Sequence, residues 1–352
     1  MASDRPAAPR VLFSNATKVE KLDSHTYKVN LDEAFCIGKV PNGGYTSSCM
    51  LAAASAHLSS RDQPDTLTAH FEYPNRTSAG PAVVVIEDVK LGKQVSTLHL
   101  TLWQGGLLDK APWITPSVSR RTVLAYANHI NLRTFEGLSL PTGYEGTEAA
   151  ELPPVPEFEL LKKNGADDTW EEQKLPKAAA VQGSLRNWRF FLPRKGPLAP
   201  GVLDMWISLA SGEPITQTTL PYVADSFPFN LHTFLAAPEL RALLEAPPAD
   251  KEEDTKTKDA RTDVAKKNEE RAALWFPTVV MNLDMKSALP EEGVEWLAVR
   301  VTSKQIKDGK FDLDVLIRDE DGDIIALSHH VAMILSIERN TGKKSSVPKA
   351  SL

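Results

Sequence analysis

Two similar stretches decide the fold of this chain, Val123-Leu-Ala-Tyr-Ala-Asn-His129-Ile130 and Ile324-Ile-Ala-Leu-Ser-His-His330-Val331. Both are apolar runs that end in the same Ala-x-x-x-His spacing. Each is preceded by another matching run, over residues 66–71 in the first half and 278–283 in the second. Such an internal repeat predicts two copies of one fold packed together, with the functional site at their shared interface.

Each copy has the same predicted order of elements. In the first, an alternating strand begins at residue 26, and the turn Pro41-Asn-Gly-Gly44 opens an uncharged, Ala- and Ser-rich helix that ends near residue 58. Further strands are predicted over 66–73, 82–90, 95–103 and 122–132. In the second copy the strands are 206–210, 277–285, 295–304, 310–318 and 324–335, and a helical segment runs from about 220 to 245. This pattern predicts an α+β fold in which a curved antiparallel sheet surrounds one buried helix.

Composition limits the functional classes. A chain of 352 residues exceeds what one hydrophobic core usually covers, so two domains are expected. The formal net charge of -6 predicts no nucleic-acid partner, and the absence of any apolar run of about 20 residues predicts no membrane partner. The N-terminus lacks the apolar core of a secretion signal, and only Cys36 and Cys49 are present. These features predict a cytoplasmic protein.

Changes in composition predict the domain boundaries. The first domain is expected over 1–135 and the second over 185–335, with a Pro-containing linker over 136–184 and a tail over 336–352. Acidic and basic residues are nearly balanced over 247–271, which predicts a solvated insertion in the second domain. The sheets of the two domains are expected to join edge to edge, because this would cover strand edges that are otherwise exposed.

Several short motifs resemble those of the double-hotdog acyl-CoA thioesterases, and most closely their divergent, thioesterase-like branch. The resemblance covers residues 26–335. The motifs that carry it in the first repeat are Pro41-Asn-Gly-Gly-Tyr45, Gly80-Pro81, Leu91-Gly-Lys93 and Trp103-Gln-Gly105. Those in the second repeat are Asp204-Met-Trp206, Tyr222-Val-Ala-Asp225, Asp319-Glu-Asp-Gly322 and Ala326. The resemblance implies two tandem hotdog domains and hydrolysis of an acyl-CoA or a related acyl thioester.

The same resemblance implies a catalytic group. Asp225 stands where the family places its catalytic carboxylate, and a helix N-cap is its alternative structural role. His330 occupies the position of the family's Gln, which is a departure that either preserves water positioning or alters the activity. Thr278 lies in the strand that should supply a hydroxyl, and Asn282 is the competing candidate because a one-residue slip reverses the face of a strand.

Further residues are predicted to contact substrate. Gly43 and Gly44 open the first helix, where backbone amides can stabilise negative charge on a carbonyl oxygen, and Tyr45 follows them. A tight turn is the alternative role of the two glycines. His129 and His70 are the first-repeat counterparts of His330 and Asn282, and they are expected to line a degenerate twin of the site.

Other chemistries lack their motifs. The sequence has no phosphate-binding loop, dinucleotide fingerprint or serine nucleophile elbow, and its two cysteines and scattered histidines predict no metal site. No cofactor is expected. Two alternatives to a thioesterase stay open: a hotdog hydratase or dehydratase of acyl thioesters, and a non-catalytic module that binds acyl chains or acts as a scaffold. A homo-oligomer of double-hotdog subunits also stays open.

Overall fold

The protein is described by a computed structural model over residues 10–151, 154–173, 183–199, 201–228 and 274–341. The helices in these ranges are α1 (Phe13–Ala16), α2 (Gly43–Leu58), α3 (Phe158–Asn164), α4 (Leu220–Ala224) and α5 (Glu338–Thr341). The strands of the first half are β1 (Glu20–Lys21), β2 (Thr26–Leu31), β3 (Cys36–Ile37), β4 (Val40–Pro41), β5 (Asp65–Glu72), β6 (Gly80–Lys90), β7 (Ser96–Gln104) and β8 (Arg120–Ile130). Those of the second half are β9 (Trp170–Glu172), β10 (Trp188–Pro193), β11 (Val202–Leu209), β12 (Leu274–Trp275), β13 (Thr278–Met285), β14 (Leu297–Thr302), β15 (Ile306–Lys307), β16 (Lys310–Arg318), β17 (Ile324–Met333) and β18 (Leu335–Ser336).

One antiparallel sheet extends through both halves of the molecule. Its strand order is β1-β2-β6-β7-β8-β5-β13-β17-β16-β14-β11-β10-β9, with β15 paired to β16 beside this path. The order β2-β6-β7-β8-β5 is mirrored by β11-β14-β16-β17-β13, so the two halves contain the same strand arrangement. The prediction of two tandem hotdog units is confirmed, and the matched histidines lie on the corresponding strands β8 and β17.

The two units join through β5 and β13 at the centre of the sheet. Phe71 pairs with Met281 and Ala69 with Leu283 in an antiparallel register. All four side chains are buried, so this central pair of strands also contributes to the core. The predicted edge-to-edge junction of the two sheets is therefore confirmed, and it removes one exposed strand edge from each unit.

Helix α2 is buried within the sheet of the first unit. Its residues are small or apolar on nearly all sides, and Tyr45, Met50, Ala54 and Leu58 are fully buried. The helix begins after Asn42, whose side chain accepts the Tyr45 N–H at 2.9 Å. A helix without a polar face requires a sheet that curves around it, which agrees with the uncharged sequence of this segment.

Segments outside the predicted strands also contribute structure. The range 136–184, predicted as a linker, contains α3 and the strand β9, which pairs with β10 at the end of the sheet. At the predicted start of the tail, β18 (Leu335–Ser336) pairs with β12, and within the tail α5 contains the fully buried Asn340. The predicted domain boundaries stay predictions. The charged segment 247–271 and most of the predicted second helix, from residue 229 onward, lie outside the described residues.

Candidate functional site

Asp225 lies at the interface of the two units. It follows α4 directly, so it stands at the C-terminal end of that short helix and not at an N-terminus as the sequence suggested. Its carboxylate instead reaches the N-terminus of α2 in the other unit, where Oδ2 accepts the Gly44 N–H at 2.8 Å. The Asn42 side chain donates to the backbone carbonyl of Asp225 at 3.0 Å. The backbone and the carboxylate of Asp225 are thus both fixed by the first unit.

Thr278 and His330 complete the surroundings of this carboxylate. The Thr278 hydroxyl donates to Oδ1 of Asp225 at 2.6 Å, and Nδ1 of His330 lies 3.5 Å from the same oxygen. The side chains of Asp225 and His330 are only 8% and 1% exposed. Three of the four predicted catalytic residues are therefore brought together in a site with little contact with solvent.

A β-bulge explains why Thr278 joins the site and Asn282 does not. In a regular strand both residues would point to the same face, because side chains alternate with a period of two. The pairing of β13 with β17 shifts between Thr278 and Val280, and this irregularity releases Thr278 from the regular alternation. Thr278 reaches Asp225, whereas Asn282 points to the outer face and contacts Nδ1 of His70 at 2.7 Å.

The hydrogen bonds of His330 define the proton positions around Asp225. The Ser328 hydroxyl donates to the Asn282 carbonyl at 2.7 Å, so its oxygen accepts from Nε2 of His330 at 2.8 Å. In a neutral ring, Nδ1 then carries a lone pair that faces the Asp225 carboxylate. Nδ1 of His330 and Oδ1 of Asp225 would then be two hydrogen-bond acceptors 3.5 Å apart. Such a pair requires a donor beside it, either a second proton on the ring or a water molecule. The arrangement can therefore orient and polarise a water molecule.

The N-terminus of α2 supplies one unused donor. Three of the first four amides of the helix have a partner. The Gly44 N–H donates to the Asp225 carboxylate. The N–H groups of Tyr45 and Thr46 donate to the side chain and the backbone carbonyl of Asn42, respectively. The Gly43 N–H has no partner within the described residues. An unpaired amide at a helix N-terminus is suited to bind an anion or a polarised carbonyl oxygen.

Both glycines are required by close packing. A Cβ on Gly44 would overlap the carbonyl oxygen of Pro221 and lie 2.7 Å from Cβ of Asp225, and a Cβ on Gly43 would lie 2.9 Å from Oδ2 of Asp225. The two glycines thus allow a close approach of backbone at this turn. It brings α2 and α4 together, and it holds the carboxylate against the helix N-terminus.

A pocket of about 190 Å³ opens beside Asp225 and Thr278. Its lining is mainly apolar and comes from both units and from β12. The lining residues include Ile37, Val40, Pro41, Gly43, Tyr73, Leu185, Leu274, Trp275 and Phe276. His330 lies fully buried behind Asp225. The pocket therefore joins an apolar space to a carboxylate, a hydroxyl and the Gly43 amide.

Tyr73 is a residue of this site that the sequence did not single out. Its ring lies against Gly43, 3.2 Å from the position a Cβ would take, and its hydroxyl is hydrogen-bonded to Ser47 at 2.7 Å. Burial, together with the negative charge of Asp225, raises the pKa of Tyr73 well above its usual value. It therefore stays protonated beside the carboxylate. No local motif marks it, because it contacts the site only through the fold.

Other predicted substrate-binding residues lie elsewhere. His70 is paired with Asn282 on the outer face of the sheet. Tyr45 is fully buried and its hydroxyl donates to the Ala16 carbonyl at 2.9 Å, so it packs within the core. His129 is also fully buried, and neither of its ring nitrogens makes a hydrogen bond of normal geometry in the part of the chain that the structure describes, although the backbone of Gln63 and Pro64 lies close to the ring. Burial lowers the pKa of His129 to about 4. None of the three lines the pocket beside Asp225.

Comparisons with known proteins agree with this architecture. The model of the acyl-CoA thioesterase N-terminal domain matches residues 31–124, and that of the acyl-CoA thioesterase C-terminal domain matches residues 159–334. These matches cover more than half of the sequence, so the chain belongs to the acyl-CoA thioesterase family. It is 70% identical over 353 residues to the thioesterase-like protein TwmA of Talaromyces wortmannii, with all of both chains aligned.

Solved structures show the same fold at low sequence identity. A hot dog fold protein of unknown function from Alicyclobacillus acidocaldarius has a TM-score of 0.61 at 17% identity, covering 92% of this chain and 97% of its own. The acyl-CoA thioesterase II TesB2 of Mycobacterium marinum has a TM-score of 0.51 at 13% identity, covering 92% and 98%. No helix among the described residues is long and apolar enough to cross a membrane.

Proposed function

We propose that this chain hydrolyses an acyl thioester, such as an acyl-CoA, with Asp225 as the general base that activates water. One observation carries the proposal: the Asp225 carboxylate borders an apolar pocket while the Gly44 amide and the Thr278 hydroxyl hold it in place. A general base needs a fixed position within hydrogen-bond reach of the attacking water. Membership of the acyl-CoA thioesterase family supports the reaction class.

The carboxylate keeps capacity for the reaction after its structural contacts are made. Gly44 and Thr278 each donate one hydrogen bond to it, one to each oxygen. A carboxylate has about four lone-pair sites, so each oxygen retains one for a further donor. A water molecule hydrogen-bonded to Oδ1 would have its own oxygen positioned to attack the thioester carbonyl. During this attack the water would transfer a proton to Asp225.

Thr278 and His330 would position this water. The Thr278 hydroxyl donates its hydrogen bond to Asp225, which leaves its oxygen free to accept a hydrogen bond from the water. Nδ1 of His330 faces the same carboxylate oxygen, and Ser328 fixes the orientation of the ring through Nε2. Histidine can therefore take the place that Gln occupies in the related enzymes, because both side chains can hydrogen-bond to water.

The Gly43 N–H is the donor best placed to stabilise the charge that develops on the carbonyl oxygen. It lines the pocket, and the positive end of the α2 dipole lies behind it. The neighbouring Gly44 amide is already used by Asp225. Loss of one such donor typically costs about 10²–10³ in turnover, so this amide would contribute substantially to the rate.

Hydrolysis of a series of acyl-CoA thioesters, which includes a 3-hydroxyacyl-CoA as a substrate for dehydration, tests the proposal. Thiol release and the absorbance of an enoyl thioester are followed together, in the parent and in Asp225→Asn. If the proposal is correct, the parent releases thiol and Asp225→Asn releases it much more slowly. Enoyl formation without thiol release would identify a dehydratase, and acyl-CoA binding without either reaction would identify a binding module.

A further inference from the structure

Three potential metal ligands meet at the end of α2 that is remote from Asp225. Nε2 of His25 lies 3.1 Å from Oδ2 of Asp88, and Nε2 of His57 lies 2.8 Å from Oδ1 of the same residue. One ligand atom from each residue can be chosen so that all three lie within 4.8 Å of one another. The sequence does not suggest this cluster, because 63 residues separate His25 from Asp88.

Each of the three side chains is held by a different element. The carbonyl of His25, just before β2, accepts the Ile86 N–H at 2.8 Å, and its Nδ1 is hydrogen-bonded to the Ser24 hydroxyl at 2.9 Å. His57 is in the last turn of α2, and its ring meets Tyr27 edge-on at 6.2 Å. Asp88 is next to a β-bulge in β6, a feature that often redirects a side chain.

This arrangement matches the requirements of a three-ligand site. Both histidines direct Nε2 to the same point, and a hydrogen bond occupies the other ring nitrogen of His25. Ligating histidines commonly have such a second partner, which fixes the tautomer and the ring orientation. Two imidazoles and one carboxylate are ligands that Zn²⁺ accepts at about 2.0–2.2 Å, with a fourth position left for water.

The surrounding charge also favours a cation. Asp23 accepts the backbone N–H of His25 at 2.9 Å, so a second carboxylate lies close to the cluster. The C-terminal end of α2 adds the negative end of a helix dipole. The His25 side chain is 45% exposed, which leaves a route for an ion, whereas that of His57 is only 10% exposed.

We propose that His25, His57 and Asp88 bind a divalent transition-metal ion of the Zn²⁺ class. His57 lies fourteen positions after Gly43 in the same helix, which corresponds to about 21 Å along the axis. The ion therefore lies far from the proposed thioester site, and its role is structural. It would connect the start of β2, the end of α2 and the end of β6.

Zinc binding to the full-length, untagged protein tests this site. The chelator-treated protein is titrated with ZnCl₂ in competition with a chromophoric chelator, and Co²⁺ binding is followed by its visible absorption. The variants are His25→Gln, His57→Gln and Asp88→Asn. The matched control is His329→Gln, because His329 also contacts a carboxylate, that of Asp314 at 2.8 Å, but belongs to no cluster of three potential ligands among the described residues.

The parent should bind one Zn²⁺ and gain a few degrees in Tm when the ion is in excess. Each ligand variant should weaken binding by about 100-fold or more, and Ser24→Ala by about tenfold, because Ser24 orients His25 without contacting the ion. His329→Gln should bind like the parent. Absence of zinc binding in the parent would overturn the proposal. Parent-like binding by His25→Gln would do the same, and this variant changes a half-exposed side chain and leaves the core intact.

Discussion

Asp225 accepts a hydrogen bond of 2.8 Å from the backbone N–H of Gly44, which is 181 residues earlier in the chain and belongs to the other hotdog unit. This contact joins the proposed general base to the N-terminus of a buried helix. It explains how a carboxylate with 8% exposure is stabilised without an Arg or Lys partner among the described residues, because a backbone amide, a hydroxyl and a helix dipole surround it.

Asp225→Asn should lower turnover by about 10²–10⁴-fold, the range expected for loss of a general base. An amide side chain can still accept the Gly44 N–H, so the free energy of unfolding should change little. Steady-state hydrolysis of acyl-CoA and urea denaturation measure the two effects. Asp314→Asn is the control, because it removes an Asp that contacts a histidine on the outer face of the sheet. Parent-like hydrolysis by Asp225→Asn would refute the mechanism.

Thr278→Val should reduce kcat/KM by about tenfold or more, because it removes a hydrogen bond to a charged group and an acceptor for water. Thr278→Ser should restore most of the loss. Thr66→Val is a matched control, since Thr66 lies at the corresponding bulge of β5. An equal loss in Thr66→Val would show that the effect comes from the strand and not from the contact with Asp225.

His330→Gln should retain hydrolysis within about tenfold of the parent if His330 positions water and Asp225 is the base. Gln is also the residue that the family resemblance implies at this place. His129→Gln, on the corresponding strand of the first unit, should leave kcat unchanged. A loss of more than about 100-fold in His330→Gln would instead make the imidazole the group that accepts the proton.

Gly44→Ala should lower the free energy of unfolding by about 1–3 kcal/mol, because the added methyl group overlaps Pro221 and displaces Asp225. Turnover should fall in the same variant. Gly137→Ala serves as the control, since a Cβ there meets no atom within 4 Å. Urea denaturation monitored by tryptophan fluorescence gives the comparison. Equal stability of the two variants would contradict the close packing of α2 against α4.

Stability should depend on pH through His129. Its pKa is about 4 in the folded protein, below the ordinary value of 6.5, because burial disfavours the charged ring. The unfolded chain therefore binds a proton that the folded protein excludes, and stability falls as the pH drops from about 6.5 to 4. The loss at pH 4 should approach about 3 kcal/mol. In His129→Leu, the free energy of unfolding measured by denaturation should fall less steeply as the pH decreases across this range. An unchanged slope would exclude His129 as the source of the pH dependence.

The strands and the helix α2 could be predicted because their periodicity is local. Alternation in β13 and β17 and the uncharged sequence of α2 each specify an element without reference to the rest of the chain. The strand β9 was missed because three residues, Trp170–Glu172, are too few for a periodic pattern. It is identified only by its pairing with β10.

The site could be predicted only in part, for a similar reason. Asp225, Thr278 and His330 followed from family resemblance, but the choice between Thr278 and Asn282 depends on a bulge that no sequence rule locates. The partner of Asp225 in the other unit and the position of Tyr73 depend on long-range packing. Contacts between residues far apart in sequence leave no local signal.

The contact between Gly44 and Asp225 has a consequence for how such a protein can evolve. Gly44 lies in the first turn of α2, whereas Asp225 follows the end of α4, so the two residues occupy different positions in their repeats. Two identical subunits related by a twofold axis would each have to carry both the carboxylate and the glycine that makes space for it. Fusion of the copies into one chain removes this requirement, so that one half supplies the carboxylate and the other makes space for it.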